Sequence, residues 1–340
     1  IFNRLKLHYN MAVTMAEITK LRHLTSAGLM DCKKALAETN GDIEAAVEIL
    51  RKKGQAVAAK REDREASEGC VLSKNEGDFA AIVALKCETD FVAKNAGFVE
   101  LTQKILDAAV ANRVKTVEEL KALELDGRTI EALIVEEIGK TGEKMEIGAY
   151  EVVEAPSTTS YNHLGNKLAT IVGFNLPDVE YQVGRDIAMQ VASMNPVAVD
   201  RAAVPQSIID AEYNVAVEKT KEEQVKKAVE AALKKAGINP NLVDSEAHIE
   251  SNIAKGWLTE EEAAKARTIA AETAAAKAAN LPEAMIQNIA NGRVNKFYKE
   301  SCLMEQEFVK DGNLTIAQYL EQSQKGLLAV VFKRVNLNQD

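Results

Sequence analysis

Aromatic side chains are scarce, at 5% of 340 residues with one tryptophan, Trp257, and histidine occurs only at His8, His23, His163 and His248. These histidines lie far apart in the chain, and neither H-E-x-x-H nor G-x-S-x-G occurs, so the zinc-peptidase and serine-hydrolase signatures are absent. Cysteine is equally sparse. Cys32, Cys70, Cys87 and Cys302 form no C-x-x-C pair, and no zinc-site spacing emerges. Scattered thiols suit a reducing compartment, where they behave as small buried hydrophobes. Positive charge is in deficit: 42 Lys and Arg stand against 51 Asp and Glu, for a net charge of −9. A chain this acidic lacks the general electrostatic footprint of a nucleic-acid binder. No apolar run reaches the roughly 18 residues that a membrane span needs. Residues 1–10, ahead of Met11 and Met15, lack the apolar stretch of a signal peptide. They read, with the residues up to 14, as an extension outside the fold, and the expected location is cytoplasmic.

What is present is a hydrophobic content of 46%, enough for two or three compact cores. Residues 15–54 predict three short helices. Ile18, Leu21 and Leu24 keep helical spacing, Leu29, Met30, Ala35 and Leu36 give a second helix, and Asn40-Gly41 is a turn. Asp42 caps the third helix and Gly54 ends it in the left-handed conformation. Residues 55–69 mix both charge signs and read as a solvated, partly helical linker. Residues 70–155 predict a hairpin ending in the apolar strand 79–87, then helices over 98–110, 117–123 and 128–138, then a strand over 144–153. Residues 156–206 and 301–336 repeat the order strand, strand, helix, and a final strand at 326–335 returns to their sheet. Residues 207–300 predict long antiparallel helices, with Glu222–Lys226 and Glu223–Lys227 as helical ion pairs and Thr259 with Glu262 as a capping box. The fold class is α+β: a small helical module, a linker, two similar subdomains each with a small antiparallel sheet, and a projecting helical insertion.

Candidate chemistry is thin. Gly139-Lys140-Thr141 resembles the end of a phosphate-binding loop, but Ile134 stands where the first glycine is required. Glu260-Glu261-Glu262 opens a helix, where acidic side chains suit the helix dipole. The informative residues are apolar ones in turn-like places. Thr89-Asp90-Phe91-Val92 joins a strand to a helix, and two readings stand: Asp90 as N-cap with Phe91 as a hydrophobic staple, or Phe91 as an exposed interface anchor. Leu29-Met30 is either core or an exposed patch that grips a partner helix.

Three separated stretches carry a family resemblance. Leu21-Arg22-His23-Leu24-Thr25-Ser26-Ala27-Gly28-Leu29-Met30-Asp31-Cys32-Lys33-Lys34-Ala35-Leu36, followed by Asn40-Gly41-Asp42-Ile43, resembles the amino-terminal signature of elongation factor Ts. Cys87-Glu88-Thr89-Asp90-Phe91-Val92-Ala93-Lys94 is similar to its second signature, and Gly292-Arg293 through Phe308 to its carboxy-terminal stretch. The family usually has Gly where Ser26 stands and often Met where Leu29 stands. The Ala-rich stretch 253–280 is longer than the common pattern.

The resemblance implies a ubiquitin-associated-like amino-terminal module, a coiled-coil insertion, and a guanine-nucleotide exchange factor with no catalytic chemistry, cofactor or metal of its own. Its implied partner is elongation factor Tu, GDP-bound and nucleotide-free, with no nucleic acid or membrane. Thr89, Asp90, Phe91 and Val92 would disturb the partner's magnesium site. Arg22, Leu29 and Met30 would hold its GTPase domain, and Ile138, Gly139 and His163 would lie on its phosphate-loop side. A helical adaptor without exchange activity is the alternative. A cysteine-dependent enzyme would instead need Cys87 or Cys302 beside His163.

Overall fold

The computed structural model describes residues 13–25 and 27–338. All of the expected extension 1–14 except Val13 and Thr14, and the family departure at Ser26, lie outside the described residues. The chain divides into two compact units, one of residues 1–195 with 308–340 and one of residues 196–307.

The first unit opens with three helices, α1 (Met15–Thr25), α2 (Leu29–Glu38) and α3 (Ile43–Lys60). Ile18, Leu21, Cys32, Ala35, Leu36 and Ala46 form their shared core. Asn40 and Gly41 turn the chain at positive φ, and the Asp42 carboxylate accepts a hydrogen bond from the Ala45 amide at 3.0 Å, capping α3. Gly54 does not end that helix. It lies buried within α3, where an added Cβ would sit 3.2 Å from the Val135 carbonyl oxygen, and a Cβ on Gly139 would sit 2.9 Å from the Gly54 Cα. The glycine pair serves a close helix crossing, so the helix continues and the charged connection shortens to about residues 61–67.

The chain then enters β1 (Glu68–Glu76) and β2 (Phe79–Cys87), followed by α4 (Asp90–Ala93), α5 (Ala96–Ala111) and α6 (Val117–Ala122). A ribbon of β3 (Glu124–Leu125) and β4 (Arg128–Thr129) precedes α7 (Ile130–Thr141) and β5 (Met145–Glu154). The helix expected from residue 128 therefore begins two residues late. Asp126 and Gly127 adopt positive φ and close the ribbon, and the Thr129 hydroxyl caps α7 by accepting from the Ala132 amide. The sheet is antiparallel in the order β1-β2-β5.

The second sheet is built from β6 (Ser157–Asn162), β7 (Leu168–Phe174) and the returning carboxy-terminal strand, in the order given below. Helix α8 (Tyr181–Met194) covers its outer face, where the Thr170 hydroxyl donates to the Ala188 carbonyl at 2.8 Å. Val71, Ala80, Ile82, Ala84, Val153, Ala169 and Ile171 form a core between the two sheets, while Phe79, Val83 and Leu85 pack with Phe98, Ile105 and Leu106 of α5. Strand β2 is thus buried on both faces, which explains its uninterrupted apolar run.

The second unit holds α9 (Gln206–Lys235), α10 (Glu246–Ala254), α11 (Glu260–Ala279) and α12 (Glu283–Ser301). Leu233 near the end of α9 packs with Ala266 near the start of α11, so the two run antiparallel. Gly237, at φ 80°, follows the end of α9, and Thr259 with Glu262 forms the expected capping box. Glu223 pairs with Arg293 of α12 at 2.7 Å instead of with Lys227, because the facing helix brings a guanidinium to it. Residues 196–206 and 301–307, expected with the second sheet, fall in this unit. Arg201 grips Glu305 through two hydrogen bonds of 2.5 and 2.7 Å, and Ala198 bridges Cys302.

The chain re-enters the first unit within β8 (Glu307–Phe308), and β9 (Asp311–Thr315) leads to α13 (Ile316–Ser323) and β10 (Ala329–Asn336). Strand β10 completes the second sheet in the order β10-β7-β6, as the apolar 326–335 stretch predicts. No described helix is long and apolar enough to cross a membrane.

Candidate functional site

Strand β2 ends at Cys87, and the backbone leaves it through Glu88 and Thr89 into the four-residue helix α4. Thr89 is extended (φ −122°, ψ 153°), so its hydroxyl faces the open helix end and accepts from the Val92 amide at 3.4 Å. Thr89, not Asp90, is therefore the N-cap. Asp90 already has helical backbone and reaches one turn along to Lys94 at 2.6 Å. That ammonium holds the Asp90 carboxyl below the ordinary carboxylate range.

Two carboxylates clamp this turn to the chain after α7. Glu143 accepts from the Thr89 amide at 3.0 Å and from its hydroxyl at 2.7 Å. In return, Glu88 accepts from the Lys144 amide at 2.7 Å and from Arg61 at 3.3 Å. The result is a reciprocal clasp between residues 88–89 and 143–144. On it, Val92 and Ala93 turn inward to the α5 core, while Phe91 is 84% exposed. The staple reading of Phe91 fails, because a residue this exposed is not buried against a staple partner. Its exposure is not loose either: the backbone beneath it is capped, paired and clasped.

The remaining expected residues divide between surface and core. Leu29 and Met30 are 41% and 60% exposed at the start of α2. Arg22 is exposed in the last turn of α1 and shares a groove of about 310 Å³ with Ile18, Thr19, His23 and Leu29. His163 is exposed on the β6–β7 turn, with Nδ1 2.9 Å from the Tyr161 hydroxyl, and the Arg185 guanidinium lies 5.3 Å from the Tyr161 ring centroid. Ile138 and Gly139 are placed differently. Ile138 is buried in the α5 core and Gly139 abuts Gly54, so both are taken up by the chain's own packing.

The thiols are sequestered. Burial pushes Cys87 up to about 12 and Cys302 up to about 11, and the Cys87 thiol donates to the Thr89 carbonyl. Neither offers the thiolate that a cysteine nucleophile needs. Sequence reasoning missed Glu143, whose role rests on a contact across 54 positions, and Leu164, an apolar residue among turn formers.

The Elongation factor TS family model matches residues 88–235 and 224–339. This chain belongs to the elongation factor Ts family. It is 60% identical over 331 residues to Elongation factor Ts of Phocaeicola vulgatus and 59% identical to that of Parabacteroides distasonis. It is 49% identical to Elongation factor Ts of Porphyromonas gingivalis, and each alignment covers 97% of this chain and 100% of the relative. Family membership places the chain among the elongation factors of protein biosynthesis.

In this elongation factor Ts family member the clasp gives a direct test of local order. Thr89→Ala removes both the cap and the hydroxyl that Glu143 holds. Loss of a Thr cap costs about 0.5–2 kcal/mol. Amide exchange across residues 89–94 should rise roughly two- to thirtyfold on that scale, with β2 amides unchanged. Unaltered protection in α4 would show that the clasp does not hold the turn.

Proposed function

We propose that this chain is a guanine-nucleotide exchange factor for elongation factor Tu. It binds the GDP-bound form, disturbs the magnesium and phosphate sites, and holds the nucleotide-free form until GTP rebinds. The observation that carries this reading is Phe91, an exposed aromatic ring on a four-residue helix whose backbone is fixed from both ends.

The physics is linkage. A factor that binds the nucleotide-free GTPase more tightly than the GDP-bound one must weaken GDP by the same ratio. No side chain of the factor performs chemistry. It needs a rigid wedge beside the bound Mg²⁺, the largest local charge holding a diphosphate. In this reading Phe91 is the wedge, Asp90 bears on the magnesium surroundings, and Thr89 and Val92 fix the turn. Arg22, Leu29 and Met30 grip the GTPase domain from a three-helix module of ubiquitin-associated-like build. His163 meets the phosphate-loop side. Ile138 and Gly139 support that side by packing α7 against the core and α3. The second unit is a coiled-coil-like helical insertion, and the chain acts in the cytoplasm.

The test is GDP release from purified elongation factor Tu loaded with a fluorescent GDP and chased with unlabelled nucleotide. Adding the chain should raise the release rate in a saturable manner. Binding without any change in release would favour a helical adaptor instead.

A further inference from the structure

Leu164 is 91% exposed, more than any other described large apolar side chain, with Phe91 next at 84%. It stands at the tip of the β6–β7 turn, in Tyr161-Asn162-His163-Leu164-Gly165-Asn166. Leucine has no turn-forming role there; Gly165 and Asn166 supply the positive φ values of 86° and 54°.

The turn is riveted to β1. The Asn166 carbonyl accepts from the Val71 amide at 2.7 Å, and the Asn162 side chain accepts from the Ser73 amide at 2.6 Å and donates to its carbonyl at 2.9 Å. Lys167 pairs with Glu68, the first residue of β1. Within the turn the His163 amide donates to the Leu168 carbonyl at 2.9 Å, and the Asn166 amide donates to that of His163 at 3.2 Å. Glu68 is also the register partner of Cys87, two residues before Thr89. The Leu164 turn is therefore hydrogen-bonded to β1, and β1 at Glu68 pairs with the end of the strand that leads into the Phe91 turn. Two rigid turns each hold out one large apolar side chain. Isolated exposed leucines are ordinary on protein surfaces. A leucine held out on a fixed turn, hydrogen-bonded to the strand that pairs with the strand leading to Phe91, is a different case.

We infer that Leu164 is a second apolar anchor for the same GTPase that Phe91 enters, beside His163 on the phosphate-loop side. This rests on the exchange reading above. The two anchors differ in role. Phe91, next to Asp90, acts where the nucleotide's cation is held. Leu164 carries no charge and adds contact that the GDP-bound and nucleotide-free forms both feel. Such uniform binding changes how much factor is needed and leaves the rate at saturation standing.

The experiment measures GDP release from elongation factor Tu across a range of factor concentrations, with wild type, Leu164→Ser, Leu164→Met and Phe91→Ala. Circular dichroism and thermal melting first establish that each variant is folded. Leu164→Ser should raise the half-saturating concentration about tenfold, on the scale of one partly buried leucine. Leu164→Met should restore most of that loss, and Phe91→Ala should lower the rate at saturation. A Leu164→Ser curve that overlays wild type while Phe91→Ala is impaired overturns the anchor and leaves the exchange reading intact. If wild type fails to accelerate release, the exchange reading falls. Calorimetric titration onto nucleotide-free elongation factor Tu then decides Leu164 separately: weaker binding of Leu164→Ser upholds the anchor, and equal binding, or none by wild type, removes it.

Discussion

Phe91→Ala is expected to slow factor-stimulated GDP release at saturation by about ten- to a hundredfold, which is the burial of one phenylalanine side chain at ~1.5–3 kcal/mol. The same substitution should barely register in folding, because Phe91 is 84% exposed and buries little within the chain. Surface changes of this kind usually stay within about 0.5 kcal/mol. The separation between the two effects is the diagnostic. A residue that matters for the fold would move both. Stopped-flow release of fluorescent GDP gives the rate, and a thermal melt gives the stability. A full stimulated rate with Phe91→Ala would leave the exposed ring without the proposed task.

The second large effect belongs to the amino-terminal module. Leu36→Ala removes a fully buried side chain from a core of six buried residues shared by α1, α2 and α3. Buried Leu→Ala changes cost about 2–5 kcal/mol, while a core this small rarely supplies more than ~3–5 kcal/mol in total. The expected result is local unfolding of α1 and α2, with the two sheets standing. Amide exchange should reach unprotected rates in α1 and α2 and remain slow in β2. Because Arg22, Leu29 and Met30 sit on these two helices, the affinity for elongation factor Tu should fall with them. Protection lost uniformly through β2 as well would show that the module and the sheets unfold as one.

Much of the fold was legible because its signals are local. Asn40-Gly41, the Asp42 cap and the Thr259–Glu262 box each declare themselves within a few residues. The apolar run 79–87 declared a strand, and the structure adds that both of its faces are covered. What escaped depends on a neighbour. A glycine that ends a helix and one that lets a second helix approach read alike, so Gly54 was misassigned until Gly139 was seen against it. Asp90 read as a cap because aspartate is a good one; the extended backbone at Thr89 moved the cap back one residue. The site was legible in part for the same reason. Phe91 stood out as a large apolar residue in a turn, whereas Glu143 gave no sign, since a carboxylate beside a helix end is ordinary until its partner amide is located. Leu164 was overshadowed by the histidine before it.

The crossing of Gly54 and Gly139 has a consequence for recognition. Helix α7 meets α3 of the amino-terminal module at Gly139, and two residues after α7 ends at Thr141 stands Glu143, the far half of the clasp beneath Phe91. In the exchange reading the module and Phe91 are thus two arms joined through one short stretch of chain, residues 139–143, which leaves the helix through the left-handed Gly142. A partner that has engaged one arm meets the other at a fixed spacing, so the second contact forms at a high effective concentration, as in a chelate. Lengthening that stretch by a residue at Gly142 would replace no side chain proposed to touch the partner and should still weaken the second contact.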